Sequence, residues 1–217
     1  AVRQLRGLVR EFGKKSVAWQ EASRAGGSAD DVTQHWFDSS AMKRGASAGD
    51  GTATSGIPSE TAAAFLAMFA PAADDLDRIL DGGGRVVLSN QSHLYLDRGY
   101  VPTTAPSAQA DAVARLGLPF YPPRTLEESA SWDPADYGVP DDRVAGIEAA
   151  LWAETITGTD DLTFLLLPRI AAVAETAWTG RPADWSEYRE RLARHGRLWT
   201  RLGLTYFASA EIPWTHE

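Results

Sequence analysis

Short apolar runs alternate with amphipathic helical stripes along most of this chain, and that alternation restricts its fold more than any other feature. Val2, Leu5, Leu8, Val9 and Phe12 make a helical stripe that Gly13 closes, with Lys14 and Lys15 at the negative end of the helix dipole. Residues 16–21 then read as a short strand, Gly26-Gly27 breaks the chain, and residues 32–37 read as a second strand. Residues 60–80 form an Ala-rich helical stretch that Pro71 kinks or divides and Gly82-Gly83-Gly84 ends. Residues 85–90, Arg-Val-Val-Leu-Ser-Asn, are a third strand, apolar without alternation, as in a parallel sheet covered on both faces. A short helix is expected over 107–116 and a fourth strand over 144–151. Further helices are expected over 167–178, with Pro168 in its first turn, and over 182–202, capped by Asp184.

Strands that alternate with helices imply a parallel α/β sheet. A doubly wound open sheet is one solution, but no Gly-rich phosphate loop follows a first strand; the three glycines at 82–84 precede theirs. Four strands with long loops after their C-terminal ends match half of a (β/α)₈ TIM barrel, the fold in which those loops build the active site. The chain opens in helical phase without an initiator Met, and reads as starting inside a larger domain. On this reading residues 1–217 are part of a barrel catalytic domain. Residues 39–59 form a long loop rich in Gly and Ser, and residues 183–217 form a terminal helix and irregular tail.

Composition excludes several classes of function. The formal charge is -8 and no basic block occurs, which argues against a nucleic-acid surface or an anionic membrane surface. The longest apolar run, the nine residues 62–70, is far too short to span a bilayer. Without cysteine there is no disulfide or thiolate metal site, and the compartment stays open between secreted and cytoplasmic. The 18 Arg against 3 Lys point to a GC-rich bacterial source. No histidine pair has metal-ligand spacing.

Four times an aromatic residue stands two positions before a carboxylate at the end of a strand-like run: Trp19/Glu21, Trp36/Asp38, Tyr95/Asp97 and Trp152/Glu154. In a strand, residues i and i+2 share a face, so each unit would aim a ring and an acceptor at one ligand. A sugar suits such a site, with C–H faces for the ring and hydroxyls for the carboxylate. About three such matches arise by chance at this composition, so their placement at strand ends carries the argument.

The residues around these units resemble a known family. Val86-Val87-Leu88-Ser89 leading to Tyr95-Leu96-Asp97 resembles the seventh barrel strand of glycoside hydrolase family 20, the β-N-acetylhexosaminidases. The run from Glu148 through Leu151-Trp152-Ala153-Glu154, followed by Leu167-Pro168-Arg169 and Glu175-Thr176-Ala177-Trp178, resembles the eighth strand and its helix. Val17-Ala18-Trp19-Gln20-Glu21 is similar to the fifth strand and Gln34-His35-Trp36 to the sixth. The resemblance covers nearly the whole chain but only the C-terminal half, strands five to eight, of the family's barrel.

The resemblance implies hydrolysis of terminal N-acetylglucosamine or N-acetylgalactosamine, from a glycan or chitooligosaccharide, by retaining, substrate-assisted catalysis without a cofactor. The substrate's acetamido oxygen attacks the anomeric carbon, while an Asp-Glu pair on the fourth strand orients the acetamido group and protonates the leaving oxygen. This chain contains no Asp-Glu dipeptide. On this reading the missing N-terminal half is its partner, and the chain alone is inactive. By resemblance Tyr95 holds the acetamido oxygen, Trp19, Trp36 and Trp152 wall the pocket, Trp132 adds another wall, and Asp97 and Glu154 accept from sugar hydroxyls 4 and 6. Glu21 and Asp38 are expected to be incidental.

Plainer readings stand beside these. The chain could be a non-catalytic sugar-binding or interaction module that keeps the aromatic platform and lacks the acid. Alternatively Asp97 and Glu154 form a conventional acid and nucleophile pair. Trp19 and Trp36 could be core aromatics. Arg169 and Glu175 read as a structural ion pair, Trp178, Trp185 and Trp199 as helix packing, and Asp74-Asp75-x-Asp77 as a solvated helix face.

Overall fold

The computed structural model describes residues 1–38, 70–119 and 121–215. The loop expected over 39–59 and the start of the helix expected over 60–80 lie outside the described residues. The chain forms two compact units: residues 1–92 with 137–148, and residues 93–136 with 149–217.

The first unit holds a parallel four-stranded sheet of β1 (Val17–Trp19), β2 (Val32–His35), β3 (Arg85–Leu88) and β4 (Val144–Ile147), in the spatial order β1-β2-β3-β4. Trp19 pairs in register with Gln34, Gln34 with Val87, and Leu88 with Ile147. The β3–β4 register shifts between Val86, paired with Val144, and Val87, paired with Gly146, so Ala145 is the bulged residue. The α/β class and the four strands are as the sequence implies.

Burial alternates along the strands. Thr33, His35, Val86 and Leu88 are buried, whereas Val32, Gln34 and Val87 are half-buried and Arg85 is exposed. One face of this sheet is therefore covered and the other is only partly so, in contrast to the two covered faces expected from the apolar run. Helix α1 (Val2–Glu11) ends as expected before Gly13, whose φ of 65° needs a residue without Cβ. Its apolar stripe is not a buried face, however. Leu5, Leu8 and Phe12 are exposed, Phe12 at 73%, as is Val17 of β1 at 62%. The buried residue of α1 is Arg6, which donates to the Gly26 carbonyl and stands 3.5 Å from Asp31.

Pro71 falls in a 3-10 turn, Ala70–Asp74, that precedes α2 (Asp75–Asp81). The acidic run is a solvated face only in part: Asp74 and Asp77 are exposed, but Asp75 has no exposed surface. It accepts from Arg24 at 2.9 and 2.7 Å, Arg78 at 2.8 Å and Gln20 at 3.3 Å. A buried carboxylate is tolerated because cations and donors surround it.

The second unit contains α3 (Ala110–Arg115), α4 (Leu126–Ala130), α5 (Thr159–Leu166), α6 (Arg169–Thr179), α7 (Trp185–Ala193) and α8 (His195–Arg201). Sequence reading missed α4 and α5, although Thr125 and Glu128 form a reciprocal capping box that is legible at that spacing. Pro168 is the N-cap of α6 rather than a residue of its first turn. The single helix expected over 182–202 is two helices that meet at Arg194, and Asp184 caps the first by accepting from the Glu187 N–H at 3.2 Å. Gly196 in α8 admits close approach, since a Cβ there would lie 2.9 Å from Trp214 and the Tyr206 hydroxyl. Trp199 is buried as expected, but Trp178 is 89% exposed. Among the described residues no helix is long and apolar enough to cross a membrane.

The core of this unit centres on Tyr100, Phe164 and Phe207. Tyr100 stacks on Phe207 with centroids 3.9 Å apart, and its hydroxyl lies 3.1–3.2 Å from the carbonyls of Phe164, Leu165 and Leu167. Against the other side of Tyr100, 3.7 Å from the ring centroid, lies the guanidinium of Arg169. Arg169 is buried and is not paired with Glu175, which binds Arg191 instead. It donates to the carbonyls of Leu96 (3.2 Å), Arg98 and Gly99 (2.9 Å). Burial lowers its pKa, and Tyr100 opposes that shift. Three carbonyls and a ring face thus take the place of a counter-ion.

Removing this guanidinium would leave three backbone acceptors without their donor. Arg169→Met is expected to lower the unfolding free energy by about 3 kcal/mol, read as a fall in urea midpoint at constant slope. Arg169→Lys should recover only part of it, because an ammonium lacks the planar fork. A loss below about 1 kcal/mol for Arg169→Met would contradict the clamp.

Candidate functional site

The four aromatic–acid units are not strand pairs. Trp19 is the last residue of β1, Trp36 lies one residue past β2, Tyr95 follows β3 by seven residues and Trp152 follows β4 by five. Strand alternation therefore does not align their members.

In the first unit the chain turns into a 3-10 helix, Gln20–Ala25, directly after Trp19. Gln20 is fully buried, and its side-chain oxygen accepts from the backbone N–H groups of Trp36 (3.0 Å) and Phe37 (2.9 Å). This explains why β2 stops at His35: the next two donors go to a side chain rather than to a ladder. Glu21 accepts from the Trp36 indole nitrogen at 2.8 Å. Asp38 is buried and accepts from Ser92 at 2.5 Å and from Tyr137 at 3.4 Å. Neither acid is incidental; each holds a neighbour.

On the same strand ends, Gln34 donates to both oxygens of Glu148, at 2.7 and 3.0 Å, and Ser89 donates to one of them at 3.1 Å. Gln34 and Glu148 occur in the motifs noted above, but no spacing rule would have paired residues so distant in sequence. His35 is buried on the covered face, and burial lowers its pKa against the opposing pull of Asp38, Asp75 and Glu21. Among the described residues no group of three or more His, Asp or Glu is placed to hold a metal ion.

In the second unit Tyr95 forms an isolated parallel bridge with Ala150, and the Leu96 N–H donates to the Ala150 carbonyl at 2.8 Å. That pairing brings Trp152 beside Tyr95, with ring centroids 5.7 Å apart at 69°. Tyr121, absent from the sequence reading, meets Tyr95 edge-on at 6.5 Å, and Arg98 lies 4.5 Å over the Tyr121 ring. Trp132 is buried and stacks with His93, centroids 6.3 Å apart. Trp152 and Glu154 are exposed.

The segment that carries Asp97 has a partner for every carbonyl. Those of Leu96, Arg98 and Gly99 accept from Arg169, and that of Asp97 accepts from the Leu118 N–H at 2.8 Å. Its side chain differs: Asp97 is 1% exposed, and neither carboxylate oxygen makes a hydrogen bond of ordinary geometry. Burial pushes its pKa up to about 6, and Glu154 adds to the rise. The nearby backbone N–H groups of Asp97 and Trp152, and Arg98, oppose it. Burial likewise pushes Arg98 down to about 10. Within this unit Trp152 and Glu154 are at the surface, whereas Tyr95 and Asp97 are buried beside them.

Comparison with known proteins places this geometry. A beta-N-acetylhexosaminidase of Cellulomonas fimi is 34% identical over 210 residues, covering 95% of this chain and 34% of the relative. The solved GH20 beta-N-acetylhexosaminidase of Streptomyces coelicolor A3(2) superposes with a TM-score of 0.70 at 28% identity, over 98% of this chain and 36% of that one. A mutant beta-hexosaminidase of Streptomyces plicatus, solved in complex with its product GlcNAc, superposes with a TM-score of 0.70 at 27% identity, over 99% and 36%. The chain thus spans about a third of the length of these relatives. The model of the glycosyl hydrolase family 20 catalytic domain matches residues 1–181, and the chain belongs to that family.

Proposed function

We propose that this chain is the part of a (β/α)₈ catalytic domain that contributes strands five to eight, in a β-N-acetylhexosaminidase acting on terminal N-acetylglucosamine or N-acetylgalactosamine. The observation that carries the reading is the grouping of Tyr95, Asp97, Trp152 and Glu154 within one unit of a family 20 chain. Tyr95 donates to the substrate's acetamido oxygen and holds it in line with the anomeric carbon. Trp152 covers the apolar sugar face, and Asp97 and Glu154 accept from hydroxyls 4 and 6. Trp132, stacked on His93, supplies a further wall. In the first unit Trp19 and Trp36 supply indole faces. The rings exclude water, which strengthens electrostatic stabilisation of a charged oxazolinium intermediate.

The acid that protonates the leaving oxygen lies outside this chain, whose sequence holds no Asp-Glu pair. Two features support a missing complement. Among the described residues the outer strands β1 and β4 each pair on one side only, and the half-covered face carries Trp19, Gln34 and Glu148. Exposed Leu5, Leu8, Phe12 and Val17 are apolar surface that a soluble domain normally covers.

The isolated 217-residue chain is expected not to turn over a chromogenic N-acetyl-β-glucosaminide, and to do so once the segment with the Asp-Glu pair is supplied in the same or a second chain. In that complete protein Tyr95→Phe should lower kcat about a hundredfold, while Asp97→Asn and Glu154→Gln should chiefly raise KM. Binding of N-acetylglucosamine without turnover by the complete protein would favour the sugar-binding module. Outright loss of chemistry in Asp97→Asn would favour the conventional carboxylate pair.

The displaced pKa of Asp97 gives a second test. The folded state holds this proton up to about pH 6, against an ordinary value of 3.8. Between those values the folded state binds more protons than the unfolded one, so Asp97 makes stability fall as pH rises through that window. Asp97→Asn should remove this slope and leave the protein more stable than wild type near neutral pH. Chemical denaturation at either end of the window measures both. A variant with the slope intact, or less stable near neutrality, would contradict burial as the dominant cause.

A further inference from the structure

Three hydrogen bonds converge on two residues just past the end of a strand, Trp36 and Phe37. Trp36 stands past the end of β2, yet its backbone N–H and that of Phe37 both donate to Gln20, and its indole N–H donates to Glu21. We propose that Glu21 and Gln20 are positioning residues for Trp36, Glu21 setting the plane of the indole and Gln20 the path of the backbone beneath it. The proposal rests on the reading of Trp36 as a wall of the sugar site.

The direction of each bond makes the arrangement specific. Asp75 only accepts, so the Gln20 amide must turn its nitrogen to Asp75 and its oxygen to the two backbone N–H groups. Asp75 in turn cannot swing away, because Arg24 grips both its oxygens and Arg78 one of them. The orientation of Gln20 is thereby fixed from α2 through to the Trp36 loop. Glu21 accepts the indole N–H with a carboxylate, and such a bond is shorter and stronger than one to a neutral acceptor. Phe37 is buried and meets the Trp36 ring edge-on at 5.6 Å. Together these favour the observed orientation of the indole, and a stacking wall contributes most to binding when its face is already turned to the ligand.

A purely structural role for Glu21 would lower stability without reference to the indole N–H. The two cases separate in a double-mutant cycle of Glu21→Leu with Trp36→Phe, in the complete catalytic domain, because phenylalanine keeps a ring face and lacks the donor. Glu21→Leu is expected to raise KM for the chromogenic N-acetylglucosaminide about tenfold with kcat changed less, Glu21→Gln to restore most of it, and the penalty to vanish on the Trp36→Phe background. An equal penalty on both backgrounds would overturn the proposal. The Trp36 indole N–H resonance, identified by its loss in Trp36→Phe, gives a readout independent of activity. Glu21→Leu should shift it and Glu21→Gln shift it less, and an unmoved resonance would overturn the proposal. If Trp36→Phe itself leaves KM unchanged, the wall role of Trp36 fails, and the resonance still decides whether Glu21 positions it.

Discussion

A chain that leaves the end of a strand carries N–H and carbonyl groups with no ladder to join, and burying them unpaired costs about 1–3 kcal/mol each. This protein meets that constraint with long buried polar side chains. Gln20 takes the N–H groups of Trp36 and Phe37. Arg169 serves the carbonyls of Leu96, Arg98 and Gly99; at the end of helix α2 the half-buried Arg143 does the same for Leu80, Gly83 and Gly84. The Tyr100 hydroxyl lies among three more, those of Phe164, Leu165 and Leu167. With strands of only three or four residues, these bonds shape the segments where the candidate site residues sit.

The same constraint accounts for the character of the site. Every carbonyl around Asp97 has a partner, so the segment holds its shape with a carboxyl group buried in its midst. What would otherwise be a flexible loop carries an acid whose pKa is displaced upward by its own burial. Around Trp36 the satisfied groups run through Gln20 to Asp75, so the ring is held by side chains on other elements rather than by its own strand. Each unit thus presents its rings and acids from backbone that is irregular but held.

Number, order and type of the strands were legible because their signals are local: β-branched runs, glycine stops, and a helical period on either side. The aromatic members of the candidate site were legible by resemblance for the same reason, since Trp152 and Tyr95 sit in compact motifs. What could not be read was long-range. Nothing in Asp74-Asp75-x-Asp77 distinguishes the middle acid, yet Asp75 is buried because Arg24 and Gln20 come from over fifty residues away to meet it. Arg169 lies six residues before Glu175 in one helix, which suggested a pair; its partners are carbonyls some seventy residues earlier. The i, i+2 logic for the aromatic–acid units failed because the ladders stop sooner than the apolar runs, where Gln20 intercepts the donors. The half-covered sheet face is likewise invisible in a run such as Val86-Val87-Leu88, whose apolar residues look alike though only two of them are buried.

Amide hydrogen exchange at Trp36 and Phe37 tests the central claim most directly, that buried side chains hold the backbone beyond the strand ends. These two amides should be protected to about the level of those inside β2, and Gln20→Leu should abolish that protection while sparing Thr33 and Gln34. Exchange at the rate of an open peptide in the wild-type protein, or protection that survives the loss of Gln20, would contradict it.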